Sequence, residues 1–265
     1  MPRTQEKYLF HWNSNFKNNA DAAANHCAVN LPNHNAMHDC LHCAVKAVTI
    51  THVFKNIYAG FRTLYIRVGG VVTLITLDEQ NVTSFTDLRD KLQVALQAEL
   101  GGTVVVSVTG DGVLSMSSTV VFDLLSPREI VAYDRKKASL NSLIGADNSL
   151  TTFPITAVAY QLPTASNLTG VRLVRLESVT LGSGRSIHGD GSLGSNIATI
   201  SLADVDYGFS KTTEFDSSSH NQMLFRSPRD IAHLDIKLYD EYEQPLTLPD
   251  NAPLDVEFIF TSLTI

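Results

Sequence analysis

Leu234-Asp235-Ile236-Lys237-Leu238-Tyr239 is the stretch whose reading decides the fold. Apolar and polar residues alternate through it. An acidic turn follows, then Leu246-Thr247-Leu248-Pro249-Asp250-Asn251, and the chain closes on Val256-Glu257-Phe258-Ile259-Phe260. A period of two puts successive side chains on opposite faces of a pleated ribbon, one buried and one wet. The pattern recurs over most of the 265 residues, and no nucleophile, phosphate loop or carboxylate pair accompanies it. It reads as an antiparallel, all-β scaffold that presents surfaces.

Outward from that stretch, strands are expected over residues 8–12, 26–31 and 44–50. Two more lie within 61–76, joined at Gly69-Gly70, a pair that allows the positive φ values of a tight hairpin. Further strands fit 103–108 and 113–117 around Gly110-Asp111-Gly112, and then 120–125, 155–162, 171–179, 197–202 and 223–225. One long helix starts at Ser84, where Ser84 and Asp87 form a capping pattern. Phe85, Leu88, Leu92, Leu96 and Leu100 then recur about once per turn, and Gly101-Gly102 stops the helix. A short helix over 138–144 ends at Gly145. Many short strands with long connections, and strand at both ends, predict a single jelly-roll β-sandwich. The whole chain, 1–265, reads as one such domain, with a small helix-containing insertion at about 70–148.

A hydrophobic content of 44% suits a packed core. Charged residues make up only 18%, which fits a protein that hides surface against partners. The net charge of −7 argues against wholesale phosphate neutralisation, so no specific nucleic-acid partner is expected. The only basic cluster is Arg135-Lys136-Lys137, ordinarily a solvated turn. No run of about 18 apolar residues is present, so no membrane span is expected. Residues 1–7 lack the apolar core of a signal peptide, so the protein is expected in the cytosol, the nucleus or an assembly made there. Three cysteines are an odd number, so a disulfide framework is not expected.

The sharpest chemical cluster is His26, Cys27, His34, His38, Cys40, His42 and Cys43. Cys40 and Cys43 have the C-x-x-C spacing that lets two thiolates hold one zinc ion, and Cys27 and His38 are the further candidates. No second such pair follows at a standard distance, and Cys43 leads into an apolar strand where a thiol acts as a small hydrophobe. No metal and no cofactor is therefore the expectation. His38-x-Cys40-x-His42 comes nearest to a sandwich metalloenzyme's ligand pattern, but its polar surroundings do not resemble a core strand. His188-Gly189-Asp190 and Asp204-Val205-Asp206 are acid–base candidates without a partner fixed by spacing. Gly184-Arg185-Ser186 and Gly191-Ser192-Leu193-Gly194 lack the strand–turn–helix context of a nucleophile elbow or phosphate loop. No enzyme is expected. The Gly/Ser-rich loop 182–195, with Arg185 and Ile187, is the candidate receptor or carbohydrate contact, though it lacks an aromatic platform. Trp12 reads as core or interface.

The order of segments resembles a known family. Tyr8-x-x-x-Trp12-Asn13-Ser14-Asn15 opens it. Asn30-Leu31-Pro32 follows, then Cys43-Ala44-Val45-Lys46-Ala47-Val48-Thr49-Ile50 leads to Phe54-Lys55-Asn56-Ile57. Ile75-Thr76-Leu77-Asp78-Glu79-Gln80-Asn81-Val82-Thr83-Ser84 introduces the helix, and Arg226-Ser227-Pro228-Arg229 precedes Leu234-Asp235-Ile236-Lys237-Leu238-Tyr239-Asp240. This resembles the minor capsid, or penton, proteins of virophages, polinton-like viruses and adintoviruses, from about 8 to 262. The resemblance implies a single jelly roll with an insertion, located in the virion. It implies a homopentamer at icosahedral vertices in contact with a double-jelly-roll major capsid protein, without catalysis or cofactor. A host receptor is a further implied partner; no Arg-Gly-Asp tripeptide is present, so integrin binding has no support. Residues 1–7 are expected to be an arm that orders on assembly. The chain departs from the family in its His/Cys-rich stretch 26–43. It also has Asp240-Glu241-Tyr242-Glu243 where a glycine is expected after the aspartate.

Overall fold

A computed structural model describes residues 4–13, 26–30, 37–58, 60–136, 138–181, 186–187, 193–194, 196–215, 222–249, 252 and 254–264. The chain forms two compact units, 1–54 with 171–265, and 55–170.

Besides the short pair Ser186–Ile187 and Leu193–Gly194, the described part of the first unit builds its two larger sheets from eight strands, in chain order Thr4–Asn13, His26–Asn30, Met37–Thr51, Leu173–Glu177, Asn196–Ser201, a sixth in two segments (Ser210–Glu214 and Gln222–Ile231), His233–Tyr239 and Leu254–Thr264. Their antiparallel pairing is nested. First pairs with eighth, second with seventh, third with sixth and fourth with fifth. Eighth also pairs with third, and seventh with fourth, which closes the nest into two sheets of order 1-8-3-6 and 5-4-7-2. That is the jelly-roll scheme, a long hairpin rolled across two sheets. Each sheet buries one face. In the first, Val45, Val48 and Ile50 lie with Leu254, Val256, Phe258 and Phe260, all 0 or 1% exposed. In the second, the buried residues include Val174, Leu176, Ile200, Leu234, Ile236 and Leu238.

The third strand begins seven residues before the 44–50 expected. Two bulges hide it. Its register against the eighth strand slips at Leu41, so that Cys43 faces Phe260 and Cys40 faces Ser262, and slips again at Lys46. Residues 4–7, expected to belong to a free arm, continue the first strand instead, Thr4 opposite Thr264 and Lys7 opposite Thr261. Backbone pairing to a central strand outweighs their polarity. The strand Ser210–Glu214 was not foreseen, because it alternates only among polar residues.

The second unit is wider than the insertion read at 70–148. Its flanks pack with it: Ile57 bridges Gln80, and Ile57, Phe153, Ile155 and Leu162 join one core. Asn56 ties the two ends together, its amide donating to Val82 O at 2.7 Å and Leu168 O at 3.0 Å while Val82 N–H donates to it. One sheet orders Val71–Thr76, Thr63–Val68, Phe122–Leu125 and Thr152–Ile155; another orders Tyr160–Ala165, Val113–Ser118 and Val104–Val108. The run 155–162, read as one strand, is two, Thr152–Ile155 and Tyr160–Ala165. Gly69 and Gly70 have φ of 57° and 87°, as the hairpin requires. The helix Phe85–Leu100 is capped by the Ser84 hydroxyl and by Gly101, and buries Leu88, Leu92 and Leu96 against Val104, Val106, Leu114 and Met116. A helix over Pro127–Asp134 was missed. Ser126-Pro127-Arg128-Glu129 is its signal, a capping serine followed by proline in the first turn. It lays Ile130 on Tyr65 and Leu125.

Asn141 holds the short helix Leu140–Leu143 to the sheet. Fully buried, it accepts from Tyr65 N–H and donates to the Tyr65 and Leu125 carbonyls, each at 2.8 Å. Gly145 follows at φ 104°, and a Cβ there would lie 2.1 Å from Thr164 O, so only glycine fits.

Candidate functional site

Of the His/Cys stretch, His38, Cys40, His42 and Cys43 lie along the third strand. Cys40 and Cys43 are both fully buried, opposite the inward positions 262 and 260. His42 pairs with Thr261 between them, and burial followed by the Lys7 charge lowers its pKa. His38 is exposed, with Nδ1 3.2 Å from an Asp230 carboxylate oxygen. That carboxyl is held below its usual value by the Asp39 N–H and by His38. Cys27 lies on the second strand, in the other sheet, and its side chain is outside the description, as are those of His26 and His34. Among the described residues no three His, Cys, Asp or Glu side chains are grouped to hold a metal.

Of the acid–base candidates, only Asp204 and Asp206 fall among the described residues. His188, Asp190 and most of the loop 182–195, with Arg185, lie outside the described residues; Ser186–Ile187 pairs with Leu193–Gly194. Asp204 is bound to Lys211 at 2.6 Å, which lowers its pKa, and Asp206 offers its backbone carbonyl to Phe209 N–H. The side chain of Trp12 is likewise outside the description.

What the jelly roll does present is the outward face of the sheet ordered 1-8-3-6. Register places His11, Glu257, Ala47 and Glu214 in one row across it, and Asn13, Asp255, Thr49 and Thr212 in the next. Ala47 and Thr49 are short, so the face dips between taller neighbours. The cleft has a volume of about 390 Å³ and is rimmed by His11, Lys46, Glu214, Phe215, Asp255 and Glu257. The bulge at Lys46 turns its ammonium onto Glu257 at 3.0 Å, and His11 lies 3.5 Å from Asp255. Thr49 and Thr212 share a hydroxyl hydrogen bond of 2.8 Å.

A second exposed feature is the loop joining fifth and sixth strands, where Tyr207 and Phe209 are 49% and 66% exposed. Buried His52 anchors it through Nδ1 and Val205 O at 2.7 Å and lies against the Tyr207 ring. Sequence reasoning passed over both features. The cleft depends on residues from four strands, and the aromatic pair carries no spacing signature.

The glycine expected after Asp240 is replaced by another device. The Asp240 carboxylate accepts from Tyr242 and Gln244 N–H at 2.8 and 2.7 Å, and Glu243 takes the positive φ of 65°.

No protein-family model and no curated protein sequence matches the chain. Among solved structures, the crystal structure of the mavirus penton protein is similar over 96% of this chain and 99% of its own, with a TM-score of 0.51 and 12% identity. At that identity the likeness is one of fold: a penton-like jelly roll.

Proposed function

We propose that this chain is a viral capsid protein that occupies icosahedral vertices as a homopentamer and contacts a double-jelly-roll major capsid protein. The observation that carries it is the nested strand pairing, with the unit 55–170 set between third and fourth strands, in a chain whose fold matches a penton protein nearly end to end. A fivefold ring needs a heterologous interface, one flank meeting a different flank of the next copy. A low-charge sandwich that exposes both an acidic cleft and an aromatic loop has unlike patches to offer such a ring. In this reading the protein works in the virion, without catalysis or cofactor, and the buried Cys40 and Cys43 are core residues.

Native mass measurement of the purified protein, and electron microscopy of particles made by co-expression with the major capsid protein, test it. Five-membered rings and density for this chain at vertices are expected. A monomer at every concentration, with particles that lack the chain, would overturn it.

The exposed pair Tyr207 and Phe209 favours a second reading, a receptor- or carbohydrate-binding module, since exposed rings are the usual platform for sugars. Glycan-array binding lost on Phe209→Ala, by a protein that forms no rings, would select that reading.

A further inference from the structure

We propose that the cleft on the outward face of the 1-8-3-6 sheet receives the basic turn Arg135–Lys136 of a second copy of this chain. The proposal rests on the pentamer reading and specifies its interface.

The cleft is acidic and one side of it is unspent. Lys46 answers Glu257, and His11 stands beside Asp255. Glu214 is exposed on the edge strand and makes no hydrogen bond or ion pair among the described residues. Phe215, next in sequence, lines the same cleft. A carboxylate beside an aromatic ring suits a guanidinium: the fork takes the carboxylate side-on while the plane lies on the ring. A bare divalent cation would gain nothing from the ring.

The donor side is equally specific. Arg135 and Lys136 belong to the only basic cluster in a chain of net charge −7. Both are exposed and neither has an acidic partner among the described residues. The nearest carboxylate in sequence, Asp134, is occupied by the Tyr65 hydroxyl at 2.6 Å. Arg135 also occupies the left-handed position that ends the helix Pro127–Asp134, with φ 57° and its N–H on Val131 O. Glycine is the favoured residue there, and an L side chain costs backbone energy. An arginine kept at a glycine position, and left without a partner, is a strained and unpaired cation that a neighbour's cleft would complete. Tyr133, 58% exposed, flanks it as an apolar shoulder.

Docking a turn from one unit into a sheet face of another unit joins unlike patches, which is the heterologous geometry a ring needs. The contact is ionic at its rim, so assembly weakens as salt rises.

The test is a charge swap followed by sedimentation over a concentration series. Arg135→Glu and Glu214→Arg each change an exposed residue, and circular dichroism checks that each variant is folded. Each single variant should raise the half-assembly concentration about tenfold or more, and the combined Arg135→Glu/Glu214→Arg protein should recover most of it. Single variants that form rings as readily as the parent would overturn the interface while leaving the capsid reading intact. So would a swap no better than its parts, or singles that keep the ring but lose the major capsid protein. A parent chain that never forms rings and never enters particles would overturn both.

Discussion

The two units bury sheet faces with opposite use of sequence distance. In the jelly roll the first strand pairs with the last, Thr4 opposite Thr264, and every further nested pair lies inside the one before it. In the unit 55–170 neighbours in sequence are neighbours in space, as in the hairpins 63–68 with 71–76 and 104–108 with 113–118. The polar groups buried in the two units differ as well. The jelly roll buries carboxylates, Asp235 and Asp240, to hold its turns; the second unit uses amides, Asn56 and Asn141. Distance between partners bears on how each unit is assembled. The charge of the buried group bears on how each responds to acid.

The largest expected effect tests the nest. Phe258 is fully buried on the eighth strand, which joins first strand to third. Phe258→Ala should cost about 3–5 kcal/mol. Hydrogen exchange read by mass spectrometry should show the loss in peptides of 4–13, 37–51 and 254–264 before those of 85–118. Equal loss throughout would erase the distinction between the units.

Asn141→Ala is the counterpart in the second unit. It leaves Tyr65 N–H and two carbonyls, those of Tyr65 and Leu125, without the amide that satisfies them. Unpaired buried groups of that kind should cost about 3 kcal/mol together. The peptides 63–68 and 122–125 should lose protection while 254–264 keeps it. Unchanged protection at 63–68 would mean that water replaces the side chain there.

Acid should separate the units further. Asp235 is buried on the seventh strand and accepts from the Ser178 hydroxyl and from Val179 and Thr180 N–H at 2.8–2.9 Å, holding the turn after the fourth strand. Burial raises its pKa, but the hydrogen bonds from Thr180, Val179 and Ser178 outweigh it and leave the carboxyl below the ordinary value. A carboxyl depressed in the folded state adds stability above its unfolded pKa of about 3.9, and that stability is lost as pH falls through the folded value. Below about pH 4 the peptide spanning 173–181 should therefore loosen, and 63–68, held by a neutral amide, should not do so through Asn141. Asp235→Asn should cost about 1–2 kcal/mol at neutral pH and flatten this acid dependence. The same acid profile in parent and variant would exclude Asp235 as its source.

The local unit was the more legible in sequence. Gly69-Gly70, Ser84 with Asp87, and the leucines of 85–100 each signal over a few residues, and each element is where the signal put it. The jelly roll was legible as a class, because strand alternation and strand at both ends survive without knowledge of partners. Its bulges were not. The slip at Leu41 gives two inward cysteines of one strand a C-x-x-C spacing, which regular alternation would not. The acidic cleft was invisible for a related reason: Glu214, Ala47, Glu257 and His11 become neighbours only through three strand registers.

The smallest effects rank the two helix caps of the second unit. Ser84 is exposed and donates nothing to the core; its hydroxyl accepts from Asp87 N–H at 3.1 Å. The helix behind it has sixteen residues and three buried leucines, so it survives a weakened first turn. Ser126 is fully buried and accepts from Glu129 N–H at 3.3 Å, ahead of a helix of only eight residues held by Ile130. A helix that short has little stability of its own, and its cap carries a larger share. Ser126→Ala should therefore cost about 1–2 kcal/mol and Ser84→Ala about 0.5–1 kcal/mol. Urea denaturation measures both. The reverse order would mean that neither the burial of Ser126 nor the shortness of its helix decides what a cap contributes in this unit.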